Sequence, residues 1–404
     1  MRARTVFAVV AAACTLAGAA TAAGAPSLVT RLSTSLASPS LSFGRTAALA
    51  VDLSTGTVVF AHNETLSVAP ASNEKIPVTW AALSRLGSGY RFHTEVYGDG
   101  SRNGTSWNGD LYVKGFGDPT LTSADLDRLV AVIRGRGIRS VTGRILGDES
   151  FYDTRRGVVG WKRNFVGGEA PPLSALVVDR AVGWPALSPP LLAARTFRAS
   201  LERRGIVVTG RPGLGTTPLA AITLASDTSD PLSEIVRHMN HESDNFYAEM
   251  LLKQLPAAAG KAGTSDGGGR MLVGMMREAG IPVTGVRIVD GSGLSSLDRL
   301  TAAALVGIIR AGATDPAIKK PFVSSLAVAG VSGTLSERLP LLRGKVRGKT
   351  GTTDLACTLS GLVGDSYAFA VLENGSPVSS WAARDAQDRF VTVLAATPSS
   401  AFPG

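Results

Sequence analysis

The sequence predicts an α+β fold, an α/β sandwich in which one antiparallel sheet takes strands from both chain ends and packs against helices. Three observations predict it. A hairpin pattern followed by a helix opens the chain after residue 46, and three strand patterns followed by a helix close it. Between residues 90 and 224 the texture changes to short strands, turns and one helix, which marks a separate, mainly-β inserted unit. With 404 residues, and about 150 per domain as a prior, there is room for both units to bury a core.

In chain order, residues 47–52 and 57–62 read as strands flanking the turn Leu53-Ser-Thr-Gly56. From Ser72 to Leu86, the apolar residues Ile76, Trp80, Leu83 and Leu86 recur at helical spacing, and Pro77 lies close enough to the start to be tolerated. The inserted unit shows strands at His93–Tyr97, Asp110–Lys114 and Ser140–Leu146, with a helix at Ser123–Arg136. It ends in a Pro-rich stretch, 171–190, and a strand-like Gly205–Thr209. Helical patterns return at Pro231–Met239, Asn245–Leu255, Arg270–Ala279 and Thr301–Ala311. Strands at Lys345–Thr352, Thr358–Val363 and Tyr367–Glu373 precede a last helix from Ser380 to about Leu394. The expected division is a leader, 1–25, a discontinuous main unit, 26–89 with 225–404, and an insertion, 90–224.

Composition narrows the function classes. A chain with 44% hydrophobic and 18% charged residues, 46 Gly and 21 Pro is neither disordered nor fibrous. Its two cysteines, Cys14 and Cys357, cannot build a disulfide framework or a zinc cluster. A net charge of +9 suits an anionic partner, but the basic residues are scattered singly, without the run or aromatic interleaving that nucleic acid requires. Met1-Arg-Ala-Arg4, the uncharged Thr5–Gly18 and the small residues Ala20–Ala25 read as a secretory leader. An uncleaved anchor is the competing reading, and the expected location is the cell envelope on the outer side of the cytoplasmic membrane, with peripheral association to it, or secretion.

Three short constellations can carry chemistry. Ser72-Asn-Glu-Lys75 opens a helix, so residues three apart share a face and Lys75 can reach the Ser72 hydroxyl. A lysine kept neutral by burial is a competent base for a serine nucleophile. Ser243-Asp-Asn245 lies between two helices, where an N-cap is the plain alternative. Lys349-Thr-Gly-Thr352 lies on a strand, where a cation beside the hydroxyls of Thr350 and Thr352 can hold a carboxylate. Gly351, with no side chain, lets an extended peptide approach that strand.

Taken together and in this order, Ser-x-x-Lys, Ser-x-Asn and Lys-Thr-Gly resemble the penicillin-interacting serine acyl-transferases. The neighbourhoods Ser243-Asp-Asn-Phe-Tyr-Ala-Glu-Met250, Asp290-Gly-Ser-Gly-Leu-Ser295 and Gly333-Thr-Leu335 with Arg338 are similar to the class C, low-molecular-mass penicillin-binding proteins. Asp110–Thr120 and Pro171–Leu176 extend that similarity into the insertion. The resemblance implies a β-lactamase-like transpeptidase fold and a cofactor-free, metal-free D-alanyl-D-alanine carboxypeptidase or endopeptidase. Its substrate would be a peptidoglycan stem peptide ending in D-Ala-D-Ala, and β-lactams would be covalent inhibitors. It also implies that Ser72 is the acylated nucleophile, Lys75 its base and Ser243 a proton relay to the leaving group. Asn245 would bond the substrate amide, Lys349 would support the terminal carboxylate with Thr350 and Thr352, and the N–H groups of Ser72 and Thr352 would form the oxyanion hole.

Rival readings fare worse against particular residues. A β-lactamase-like hydrolase needs a glutamate for its deacylating water, and the stretch 246–290 holds no Glu-x-x-Leu-Asn, only Glu249 and Glu278. A phosphate-binding loop needs glycine where Arg343 stands. A non-catalytic cell-wall-binding protein of the same fold is countered by the intact serine and lysine. His238 and His241 have helical ligand spacing but no acidic third partner, and Cys357 reads as a small buried hydrophobe.

Overall fold

A computed structural model describes residues 26–398, so the expected leader lies outside the described residues. After a first helix, α1 (Leu28–Leu36), the chain forms β1 (Thr46–Asp52) and β2 (Val58–His62), then α2 (Lys75–Leu86). The insertion follows as β3 (His93–Asn103), β4 (Ser106–Gly115), α3 (Ser123–Gly135), β5 (Ser140–Val141), β6 (Ile145–Asp148), a helical turn α4 (Phe165–Gly168), α5 (Pro189–Arg203), β7 (Val207–Val208), β8 (Gly213–Leu214) and β9 (Ile222–Thr228). The main unit resumes with α6 (Leu232–His241), α7 (Asn245–Ala257), α8 (Ser265–Glu278), α9 (Ala302–Thr314) and α10 (Lys319–Ser325). It closes with β10 (Ala327–Val328), β11 (Val346–Thr352), β12 (Ala356–Val363), β13 (Tyr367–Asn374) and α11 (Ser380–Ala395). No described helix is long and apolar enough to cross a membrane.

The main sheet runs β10-β11-β12-β13-β1-β2, every pair antiparallel, so the expected joining of both chain ends is observed at β13 and β1. Its strands alternate with period two, yet both faces are buried. Leu49, Val51, Ala368, Ala370 and Leu372 point into the core beneath α2 and α9. Ala48, Ala50, Phe369 and Val371 point to the other side, against Leu32 and Leu36 of α1 and Phe390 and Leu394 of α11. A sheet covered on both faces cannot bend freely, and it therefore fixes β11 relative to the start of α2.

The second sheet, β7-β5-β4-β3-β9 with β6 and β8 branching from β4, mixes antiparallel and parallel pairs. Its core is shared with two helices, through Leu126, Leu129 and Ile133 of α3 and Ala194, Phe197 and Leu201 of α5. The expected boundary at 224/225 falls inside β9, whose residues Ile222 to Thr228 pair with β3, so this sheet extends the insertion to Thr228. Between β6 and α5 the chain leaves this sheet. It packs Tyr152, Leu173, Ala175 and Val177 against Phe246 and Met250 of α7, tying the insertion to the helix that follows Ser243.

Candidate active site

Ser72 lies in a 3-10 turn, Ala71–Glu74, that leads directly into α2. Ala71 has φ +47°, a left-handed conformation rare for a residue with a side chain, and it turns the chain sharply before the serine. The expected common face is present: Lys75 Nζ lies 2.9 Å from Ser72 Oγ. The same amine lies 2.8 Å from Asn245 Oδ1 and 2.9 Å from the Ser292 carbonyl, so three contacts aim it. Lys75 is fully buried, and that burial pushes its ammonium down to about 8, against the pull of Asp290, Glu249, Asp244 and Glu74 in the other direction. About a tenth of the amine is therefore unprotonated at pH 7, far more than for an ordinary solvated lysine.

Ser243 also has positive φ, +57°, at the junction of α6 and α7. The N-cap role belongs to its neighbour Asp244, whose carboxylate accepts from the N–H groups of Phe246 and Tyr247. Ser243 is thereby left to face the strand, with its Oγ 2.9 Å from Lys349 Nζ. Lys349 also donates to the Thr350 carbonyl at 2.8 Å and is fully buried. Burial first, and then the nearby Lys75, hold its ammonium well below the usual lysine range. Thr350 Oγ1 is 2.8 Å from Thr334 Oγ1, which links the strand to the Gly333–Leu335 turn.

Gly351 stands where β11 crosses the start of α2. A Cβ at this position would lie 2.8 Å from the Ser72 nitrogen and 2.4 Å from Thr358 Oγ1, so only glycine permits this approach. Asn73 locks the junction from beneath: its Nδ2 donates to Thr358 Oγ1 at 2.5 Å and its Oδ1 accepts from the Ser360 hydroxyl. Ser72, Ser243, Thr350, Gly351 and Thr352 line one cavity of about 420 Å³, together with the Thr334 turn and Arg384 of α11. All three predicted constellations therefore meet in one pocket. Asn245 bonds protein at both ends of its amide, Oδ1 accepting from Lys75 and Nδ2 donating to the Glu169 carbonyl at 3.0 Å, which leaves one N–H and one lone pair for a ligand.

The stretch Asp290–Ser295 carries no chemical role legible in its sequence. In the structure this loop delivers the Ser292 carbonyl to Lys75, and buried carboxylates hold it in shape. Asp290 accepts from the N–H groups of Ser292, Gly293 and Ser295, and from the indole of Trp161 in the insertion at 2.7 Å. Glu249 accepts from Gly291 and Ser292, and Asp298 from Val289 and Asp290. Burial raises Glu249 to about 8, and burial with neighbouring carboxylates raises Glu74 and Asp298 well above the usual range, so this knot is partly protonated at neutral pH. The repeated Gly and Ser at 291–295 are the only sequence trace of this nest. His238 approaches Asp244 at 3.5 Å and His241 the Leu326 carbonyl at 3.2 Å. Cys357 is buried in β12.

A two-faced antiparallel sheet whose strand β11 carries one buried lysine to a serine and a second buried lysine at the start of a helix defines the penicillin-binding class of serine acyl-transferase. The fold is similar to penicillin-binding protein 4 (dacB) from Haemophilus influenzae, with TM-score 0.81 and 20% identity, covering 91% of this chain and 99% of that one. The same protein complexed with a β-lactam gives TM-score 0.75 over 89% of this chain and 98% of that one, at 20% identity. The D-Ala-D-Ala carboxypeptidase 3 (S13) family matches residues 28–191 and 181–397, and the chain belongs to that family. It is 30% identical to the D-alanyl-D-alanine carboxypeptidase of Actinomadura sp. (strain R39), over 84% of this chain and 79% of the relative. It is also 30% identical to carboxypeptidase DacB of Mycolicibacterium smegmatis, over 89% and 82%.

Proposed function

We propose that this chain is an exported serine D-Ala-D-Ala carboxypeptidase that trims peptidoglycan stem peptides through an acyl-enzyme on Ser72. The observation that carries the reading is the 2.9 Å approach of a fully buried lysine amine, shifted down to about 8, to the Ser72 hydroxyl. Unprotonated Lys75 takes the hydroxyl proton as Ser72 Oγ attacks the carbonyl of the penultimate D-alanine. The oxyanion develops at the positive end of α2 and is stabilised by the N–H groups of Ser72 and Thr352. Collapse breaks the peptide bond. The departing D-alanine amine receives its proton through Ser243, whose hydroxyl Lys349 orients. Water then hydrolyses the ester and returns Ser72 to its starting form.

Hydrolysis of a cross-bridge is the same chemistry with a longer amine as leaving group, and a β-lactam is an amide that acylates the same serine. A lactamase reading gains nothing from Glu249, which is buried and already accepts from Gly291 and Ser292. The test is mass analysis of a purified pentapeptide-stem muropeptide after incubation with the protein. The expected product has lost one alanine, and Ser72→Ala slows its formation by at least roughly a thousandfold. Equal turnover by Ser72→Ala rejects the mechanism.

A further inference from the structure

The cavity above Ser72 needs a free cationic donor if it is to prefer a free carboxylate, and the amines of both lysines are already engaged by protein. Lys75 Nζ is bonded to Ser72, Asn245 and the Ser292 carbonyl, and Lys349 Nζ to Ser243 and the Thr350 carbonyl, and both side chains are fully buried. An arginine keeps its charge at every working pH and offers a planar, two-pronged donor that matches a carboxylate.

Arg384 meets those requirements. It projects from the first half of α11 and lines the same cavity as Ser72, Ser243 and Thr352, and its Nη2 lies 3.5 Å from Thr352 Oγ1. Acids on its own helix are already taken: Asp385 pairs with Arg389, and Asp388 with Arg338 at 2.5 Å. Among the described residues no carboxylate lies within ion-pair distance of Arg384, including the exposed Glu337 at the cavity rim. Arg338 also donates to the Arg384 carbonyl at 3.3 Å, which anchors that turn of the helix behind the pocket. An exposed guanidinium beside a nucleophile, left without an acid, is available to an anionic ligand group.

We propose that Arg384 is a substrate-binding residue that reads the free α-carboxylate of the leaving C-terminal residue, alongside the hydroxyl of Thr352. This deepens the acyl-transfer reading and rests on it. With the scissile carbonyl held at the Ser72 and Thr352 N–H groups, the leaving residue's carboxylate falls one residue further on, about 3.8 Å per Cα step, on the side where Arg384 meets Thr352. The bonds made and broken are those of the acylation already described. Arg384 contributes two N–H donors and takes no proton.

The experiment compares two synthetic substrates on the full chain, a diacylated Lys-D-Ala-D-Ala and the same peptide with a C-terminal carboxamide, by kcat/KM. The wild-type protein should prefer the free acid. Arg384→Ala should lower kcat/KM for the acid by roughly 10- to 100-fold while leaving the amide nearly unchanged, so that the preference collapses. Arg384→Lys should restore part of it. An equal fall on both substrates, or no fall on either, overturns the assignment, and Tm of each variant separates misfolding from lost recognition. Failure of the wild-type protein to turn over either peptide, with no β-lactam adduct at Ser72, would instead overturn the acyl-transfer reading itself.

Discussion

At the scale of single residues, the proposed mechanism rests on a lysine that burial makes a competent base. The amine of Lys75 is held by Ser72, Asn245 and the Ser292 carbonyl, and loss of hydration outweighs the four nearby carboxylates in setting its proton affinity. In the proposed mechanism the unprotonated form is the active one, so activity is expected to rise with pH. The second-order rate of acylation by a β-lactam should increase by about tenfold per pH unit well below 8 and level off above it. A stopped-flow profile that is flat from pH 5 to 9 would remove Lys75 from the role of base. The fold brings together Ser72, Lys75, Ser243 and Lys349, which the sequence singles out because hydroxyl and amine side chains at fixed spacing leave a recognisable pattern. The Ser292 carbonyl could not be read this way, since every residue carries one and only the loop's shape aims it.

At the scale of elements, the site is a junction between the turn that starts α2 and the edge of β11. Gly351 makes the junction close, and Asn73 bonds it to Thr358 and Ser360 on the adjoining strand. Gly351→Ala should force the strand away from the Ser72 nitrogen, slowing acylation by about tenfold or more while costing about 1–3 kcal/mol of stability. Stopped-flow acylation together with thermal unfolding checks both, and an unaltered acylation rate would mean the strand's approach is unimportant. Most elements carried clear patterns, the two paired ends and the helices α2, α3, α7 and α9 among them. The helix α5 was hidden by its own start signal: Pro189 and Pro190 occupy the first turn, where proline is well tolerated, but they read as the end of a Pro-rich loop. The Ser- and Thr-rich α1 is held by Leu32 and Leu36 packing under α11, a contact with the far end of the chain that local pattern cannot reveal.

Across the whole molecule, three stretches separated by 171 and 106 positions in the chain reach one pocket because the sheet closes the two ends of the main unit around the insertion. The insertion is more than a passenger. Trp161 bonds Asp290 beneath the loop that aims Lys75, and the Glu169 carbonyl holds Asn245. The order of the three constellations made the pocket legible in advance, whereas the insertion's grip on it was not, because it depends on one indole and one backbone carbonyl with no motif of their own. The most direct measurement is to incubate the protein with benzylpenicillin, digest it and locate the adduct by mass. A single penicilloyl group on the peptide containing Ser72, absent from Ser72→Ala and sharply slowed in Lys75→Ala, is the predicted result. An adduct on another residue, or unchanged labelling of Ser72→Ala, would contradict it.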